Sequence, residues 1–233
     1  MKKLYVTLAA VLAIKIAGNA QNIYVADYSA NTIDLITPDG TVSILASGLN
    51  NPFGITVNSS GTVYVSDDGS GNIYEFTPRG IQSTFATGQG YAHGMAVDRL
   101  GNLYVSMYSG SITKFTPRGV ASTFASGLGM ADQMSFDAVG NLFVADYGAG
   151  TVVKITPRGV ESIVAFGLSL VNATAVNAAG DLFVAQGTGD ILEFTPGGVR
   201  STLASGLEQP IGLAIISEPR GGQRGQTTRH SGL

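Results

Sequence analysis

The chain of 233 residues contains no cysteine. That excludes a disulfide framework, a thiol nucleophile and a thiolate metal site. Charged residues are scarce, at 12% of the sequence, and no segment carries a sustained helical apolar pattern. Histidine is nearly absent: His93 is the only one before the C-terminal tail, so any histidine-dependent chemistry must use it. No apolar run is long enough to cross a bilayer as a helix.

What the chain does have is glycine, 32 residues of it, and a repeat. The sequence Thr-Pro-x-Gly recurs with its prolines at Pro38, Pro78, Pro117, Pro157 and Pro196, a spacing of 40, 39, 40 and 39 residues. A period in that range, filled with short extended segments, is the mark of a β-propeller built from one repeated unit. Proline presets φ in the turn and glycine relaxes it, so the tripeptide persists while its middle residue varies among Asp39, Arg79, Arg118, Arg158 and Gly197. The three arginines belong at exposed hairpin tips.

The ends read differently. Lys2 and Lys3, an apolar run over residues 4–14 and Gly18-Asn19-Ala20 resemble an export signal with a small-residue cleavage site. The same run can also be read as a degenerate first strand. The expected organisation is a leader over residues 1–20, a propeller over 21–216 and a disordered tail over 217–233, in a secreted or periplasmic protein, expected to be a monomer. Setting aside the three lysines of the leader and the three arginines and one glutamate of the tail leaves a formal charge of about −8. An acidic body disfavours nucleic acid and anionic membrane as partners.

The third unit shows the order within a blade. An inner strand over residues 93–98, a turn at Leu100-Gly101, a second strand over 102–106, a third over 111–116 and a fourth over 120–125 give four strands, a to d from the centre outward. The first unit starts at strand b, and the last fragment, residues 210–215, is a strand a with nothing behind it. These counts predict an all-β propeller of five blades, closed by a C-terminal strand that completes the first blade; closure removes exposed sheet edges. The alternative is an incomplete six-bladed ring.

Gly-x-x-Val-Asp followed by Gly-Asn-Leu-Tyr-Val resembles the NHL repeat. The motif is carried by residues 94–106 and 134–147 and, with Asn58 for Asp, by 54–68, within a similarity covering roughly 22–216. It departs in the third strand, where Asn31-Thr32-Ile33 and Asn72-Ile73 replace the family's Asn-x-Arg-Ile. The resemblance implies six blades as the common number and an interaction role.

Positions where near-identical units disagree point to function. The residue opening strand a is Phe53, His93, Asp132, Asn172 and Ile211, at the same 40, 39, 40 and 39 spacing. Strand a is innermost, so these side chains should ring one mouth of the central channel, where propeller ligands bind. His93 and Asp132 on adjacent blades suit a general-base pair; a purely structural use of both at a polar mouth is equally open. A second ring at the end of strand b holds Asp27, Asp67, Met107, Asp146 and Gln186, where Asp side chains naturally accept turn N–H groups. Asp67 with Asp68 is its most acidic spot, and a hard cation such as Ca²⁺ could use such oxygens, although no compact metal spacing supports it.

Two functions follow. The first is a binding module that engages a protein, glycan or small-molecule ligand at the mouth through Phe53, His93, Asp132, Asn172 and Asp67, with no cofactor. The second is a hydrolase or lyase resembling gluconolactonase or virginiamycin lyase, with His93 and Asp132 as catalytic residues and a divalent metal as an option. The lactonase resemblance implies an inner-strand Glu among metal ligands, whereas Glu75 and Glu193 fall in strand c, Glu161 in d and Glu208 in a connection.

Overall fold

A computed structural model describes residues 9–13, 23–37, 41–208 and 210–213. The first Pro-Gly hairpin tip, at Pro38 and Asp39, and the tail over 217–233 lie outside them. Blade one comprises β1 (Ala9–Ala13), β2 (Ile23–Asp27), β3 (Thr32–Ile36) and β4 (Val42–Ser47). Blade two comprises β5 (Pro52–Val57), β6 (Val63–Asp67), β7 (Asn72–Phe76) and β8 (Gln82–Ala86). Blade three comprises β9 (Ala92–Val97), β10 (Leu103–Met107), β11 (Ser111–Phe115) and β12 (Ala121–Ala125). Blade four comprises β13 (Ala131–Phe136), β14 (Leu142–Asp146), β15 (Thr151–Ile155) and β16 (Glu161–Ala165). Blade five comprises β17 (Val171–Val176), β18 (Leu182–Gln186), β19 (Ile191–Phe194) and β20 (Arg200–Ala204). Every pairing is antiparallel, and the described residues contain no helix. The chain is an all-β propeller of five four-stranded blades, not an incomplete ring of six.

Local chemistry explains the regularity. In the a-to-b turns of blades three and four, Asp98 and Asp137 accept backbone N–H bonds from Leu100 and Asn102 and from Val139 and Asn141. Gly101 and Gly140 follow at φ of 81° and 91°, a region open to glycine. In the c-to-d hairpins the Thr before Pro does the holding: its Oγ1 accepts the N–H of Ile81, Val120, Val160 or Val199 at 3.0–3.2 Å. The Asp-x-x-Gly and Thr-Pro-x-Gly signatures are thus two turn formulas, one for each face.

The core lies between blades. Val65, Val105, Val144 and Val184, at the centres of the second strands, are fully buried, with apolar side chains on both faces, as stacking of successive sheets requires. At the channel the inner strands pack against one another in succession, β5 on β9, β9 on β13 and β13 on β17. Contact there is tight enough that a Cβ on Gly54 would strike the carbonyl oxygen of His93, and one on Gly94 that of Asp132. Glycine is required for that approach rather than for turning.

One expectation is corrected. The inner strand of blade one is Ala9–Ala13, paired with β2 from Ala9 opposite Asp27 to Ala13 opposite Ile23. It takes the place assigned from strand counting to the C-terminal segment, and it comes from the run that also reads as a leader. An N-terminal strand is contiguous with its own blade through a short connection, which is why it can fill the position without its partner crossing the ring. Residues 210–213 carry no strand, and 214–216 lie outside the described residues.

Candidate functional site

Four inner strands share a defect that makes the mouth. The pairing of β5, β9, β13 and β17 with their neighbours slips by one residue next to Phe53, His93, Asp132 and Asn172. A bulge of this kind bends the strand and re-aims the extra side chain. β1 pairs with β2 without any slip. The residues picked out by disagreement between units are therefore the residues at the bulges.

The structure brings three of them into contact. The rings of Phe53 and His93 stack with centroids 4.5 Å apart and planes at 29°. His93 Nδ1 lies 4.0 Å from Asp132 Oδ1, with 18% and 19% of the two side chains exposed. At that distance the pair is electrostatic contact rather than a hydrogen bond, so each group keeps its proton-transfer capacity. Asn172 is separate: it is buried, and its Nδ2 donates to the carbonyl oxygen of Pro210 at 2.9 Å. Ile211, at the fifth position, has no strand around it.

The second ring is engaged by turns, as Asp chemistry there predicts. Asp67 accepts the N–H of Asn50 at 2.8 Å on one oxygen and of Ser70 at 3.1 Å on the other. Asp146 accepts those of Gly129, Met130 and Ala149, and Asp27 those of Ser29 and Ala30. Gln186 cannot reproduce this, and its Oε1 is buried without a partner.

Sequence reasoning stopped one residue short of the rest of the mouth. The positions after the second ring are Tyr28, Asp68, Tyr108, Tyr147 and Gly187. Tyr28 meets Phe53 edge-on at 6.4 Å, and Tyr108 lies 5.3 Å from His93. An aromatic run Tyr28–Phe53–His93–Tyr108 thus lines one side. Asp68, in the unit between, has Oδ1 buried without a hydrogen bond. Following the same period one step further would have found them. Also unforeseen are Ser66 and Ser106, whose Oγ atoms accept the N–H of Gly54 and Gly94 at 2.7 and 2.8 Å; Ser106 Oγ also donates to the Asp132 carbonyl at 3.0 Å.

Burial sets the protonation states. Desolvation lifts Asp132 to about 7, against an opposing hydrogen bond from the Gln133 backbone. Desolvation also lowers His93, favouring neutral imidazole. Asp68 is raised to about 6, first by desolvation and then by neighbouring Asp67. Near neutrality the site therefore offers a neutral base beside a carboxylic acid, the division of labour that acid–base catalysis requires.

A divalent metal does not fit these residues. Among the described residues no three His, Asp or Glu side chains converge, the Asn172 amide is spent on Pro210, and Asp132 is the one inner-strand carboxylate at the bulges.

No protein-family model matches the chain, the NHL repeat included, and no curated protein matches its sequence. Solved structures do match its fold. A catalytically inactive histidine-to-alanine variant of virginiamycin B lyase from Staphylococcus aureus, determined with quinupristin, superposes with a TM-score of 0.70 at 14% identity, covering 88% of this chain and 78% of that one. A gluconolactonase from Xanthomonas campestris gives 0.71 at 14% identity over 84% of this chain and 75% of that one. At such identities the likeness is one of fold: this chain shares its propeller architecture with gluconolactonase and virginiamycin B lyase.

Proposed function

We propose that the protein is an enzyme of the hydrolase or lyase class that opens a small cyclic ester at the channel mouth, with His93 as general base and Asp132 as general acid. The observation that carries this reading is the contact of the two groups with burial moving their protons in opposite senses. In this mechanism neutral His93 takes a proton, from water or from the carbon beside the ester carbonyl, and protonated Asp132 gives one to the departing oxygen. The aromatic run Tyr28–Phe53–His93–Tyr108 holds the flat face of the substrate. The neighbouring folds support the choice over a non-catalytic binding module, and a lyase inactivated by loss of one histidine supports placing the base at His93. No step runs through a metal.

The test is incubation of purified protein with a panel of γ- and δ-lactones and with quinupristin, read by mass spectrometry. Ring opening that adds one water marks hydrolysis, and opening without mass change marks elimination. Turnover abolished in His93→Ala and Asp132→Ala supports the reading. Turnover unchanged in both variants, or no turnover of any substrate by the wild-type protein, overturns it.

A further inference from the structure

The seam between blades five and one carries one segment too many. Seen from blade one, the inner place belongs to β1, which pairs with β2 and packs on β5. Seen from blade five, the same place is taken by residues 210–213. Leu213 joins the cluster of Ala173, Ala185 and Ile191, just as Ile55 joins Ala26 and Ile33, Met95 joins Ile73, and Met134 joins Ile112. These are equivalent positions of successive units, so Leu213 sits on blade five where the inner strand of the next blade belongs. The chain arrives there along the common path, since Leu207 N–H donates to the Gly189 carbonyl as Leu128 does to Gly110 and Leu168 to Gly150.

The sequences of the two claimants are unequal. Residues 210–215, Pro-Ile-Gly-Leu-Ala-Ile, repeat the pattern of β5, Pro-Phe-Gly-Ile-Thr-Val, including the glycine needed for close approach between inner strands. β1 has no glycine and no bulge. It lies instead in the apolar run between Lys2-Lys3 and Gly18-Asn19-Ala20, the pattern of a removable leader.

We propose that this is a strand-exchange device: hydrolysis of the Ala20–Gln21 peptide bond by an export peptidase releases β1, and residues 211–216 replace it beside β2. Water supplies the new carboxylate and amine ends. Loss of β1 leaves the inner edge of β2 with unpaired N–H and C=O groups, which demand a partner. The tethered segment is already docked one blade away, so its effective concentration is high. Exchange places Ile211 at the fifth bulge and completes the mouth ring of Phe53, His93, Asp132 and Asn172. This device is independent of the chemistry proposed for that ring.

The register of the other blades predicts the new one: Leu213 opposite Val25 and Ala214 opposite Tyr24, as Ile55 faces Val65 and Thr56 faces Tyr64. Because the chain has no cysteine, engineered thiols report this cleanly. Val25→Cys with Leu213→Cys, and separately Tyr24→Cys with Ala214→Cys, are to be exported and oxidised, with Ala20→Arg as the processing-blocked control. A disulfide in at least one pair of the processed chain, with free thiols in the blocked chain, is expected from peptide mass spectrometry. Free thiols in both processed pairs, equal cross-linking with and without processing, or an exported chain still starting at Met1 would each overturn the proposal. Thermal melts verify folding of each pair.

Discussion

His93 and Asp132 meet across the boundary between blades three and four, 4.0 Å apart, each set at a bulge in its own inner strand. Two slips of one residue, 39 residues apart in sequence, put an imidazole and a carboxyl in one desolvated corner. Neither slip alone would do so. Burial then favours the uncharged form of each, and that shared preference is the basis of the first two predictions.

Activity should follow a bell-shaped pH profile. Neutral His93 is lost as pH falls below the ordinary histidine range, and protonated Asp132 is lost as pH rises through about 7. In kcat/KM the alkaline limb should vanish in Asp132→Asn, and either His93→Gln or Asp132→Asn should lower the plateau by ~10²–10⁴-fold. A profile flat from pH 5 to about 8 would remove the acid–base assignment.

Stability should respond to pH in a way that separates the two groups. The Asp132 carboxyl has a higher pKa folded than unfolded, so the folded state holds an extra proton between about 4 and about 7. Stability therefore falls as pH rises through that window. Asp132→Asn should remove the fall and stabilise the protein above pH 7 by ~1–4 kcal/mol. The lowered His93 pKa acts in the opposite sense, costing stability as pH drops below its unfolded value. Urea denaturation of wild type and Asp132→Asn at several pH values measures the difference directly; parallel curves would contradict it.

Phe53→Ala should act on His93 from outside the proton-transfer pair. The stacked ring excludes water from the imidazole, so its removal should raise the His93 pKa towards the ordinary value and move the acidic limb of the rate profile to higher pH. Loss of one half-buried aromatic should cost ~1–3 kcal/mol of stability. An NMR titration of His93 reads the first effect without any substrate. An unchanged His93 titration would show that Phe53 does not set its environment.

The ring was legible because its turns are written in side chains: Thr-Pro-x-Gly and Asp-x-x-Gly each fix a hairpin locally. The bulge residues were legible because a repeat exposes its own exceptions. Tyr28 and Tyr108 were not, because an aromatic at a strand end reads as core until neighbouring blades place it over a channel. The inner strand of blade one was misassigned for another reason. Residues 210–215 match the inner-strand pattern better than Ala9–Ala13 does, but pairing along β2 needs only extended backbone and complementary register, which the N-terminal run also supplies. Hydrogen-bonding to a backbone edge leaves little trace in sequence.

Gly94 links the packing of the ring to the chemistry at its mouth. A Cβ there would strike the Asp132 carbonyl, which Ser106 Oγ also holds while accepting the Gly94 N–H. Gly94→Ala must push β13 away from β9, at a cost of ~1–3 kcal/mol for overpacking. A shift of Asp132 by about 1 Å from His93 should reduce kcat by ~10²-fold with KM little changed. Gly90→Ala is the control, since its Cβ would meet nothing within 4 Å, and it should be neutral in both measurements. Ser106→Ala separates the two effects: it leaves the Gly94 N–H without its acceptor, costing ~1–3 kcal/mol, yet adds no bulk to drive the strands apart. Its kcat should therefore fall much less than that of Gly94→Ala at similar stability. Equal losses of kcat in the two variants would mean that stability, not the placement of Asp132, limits activity.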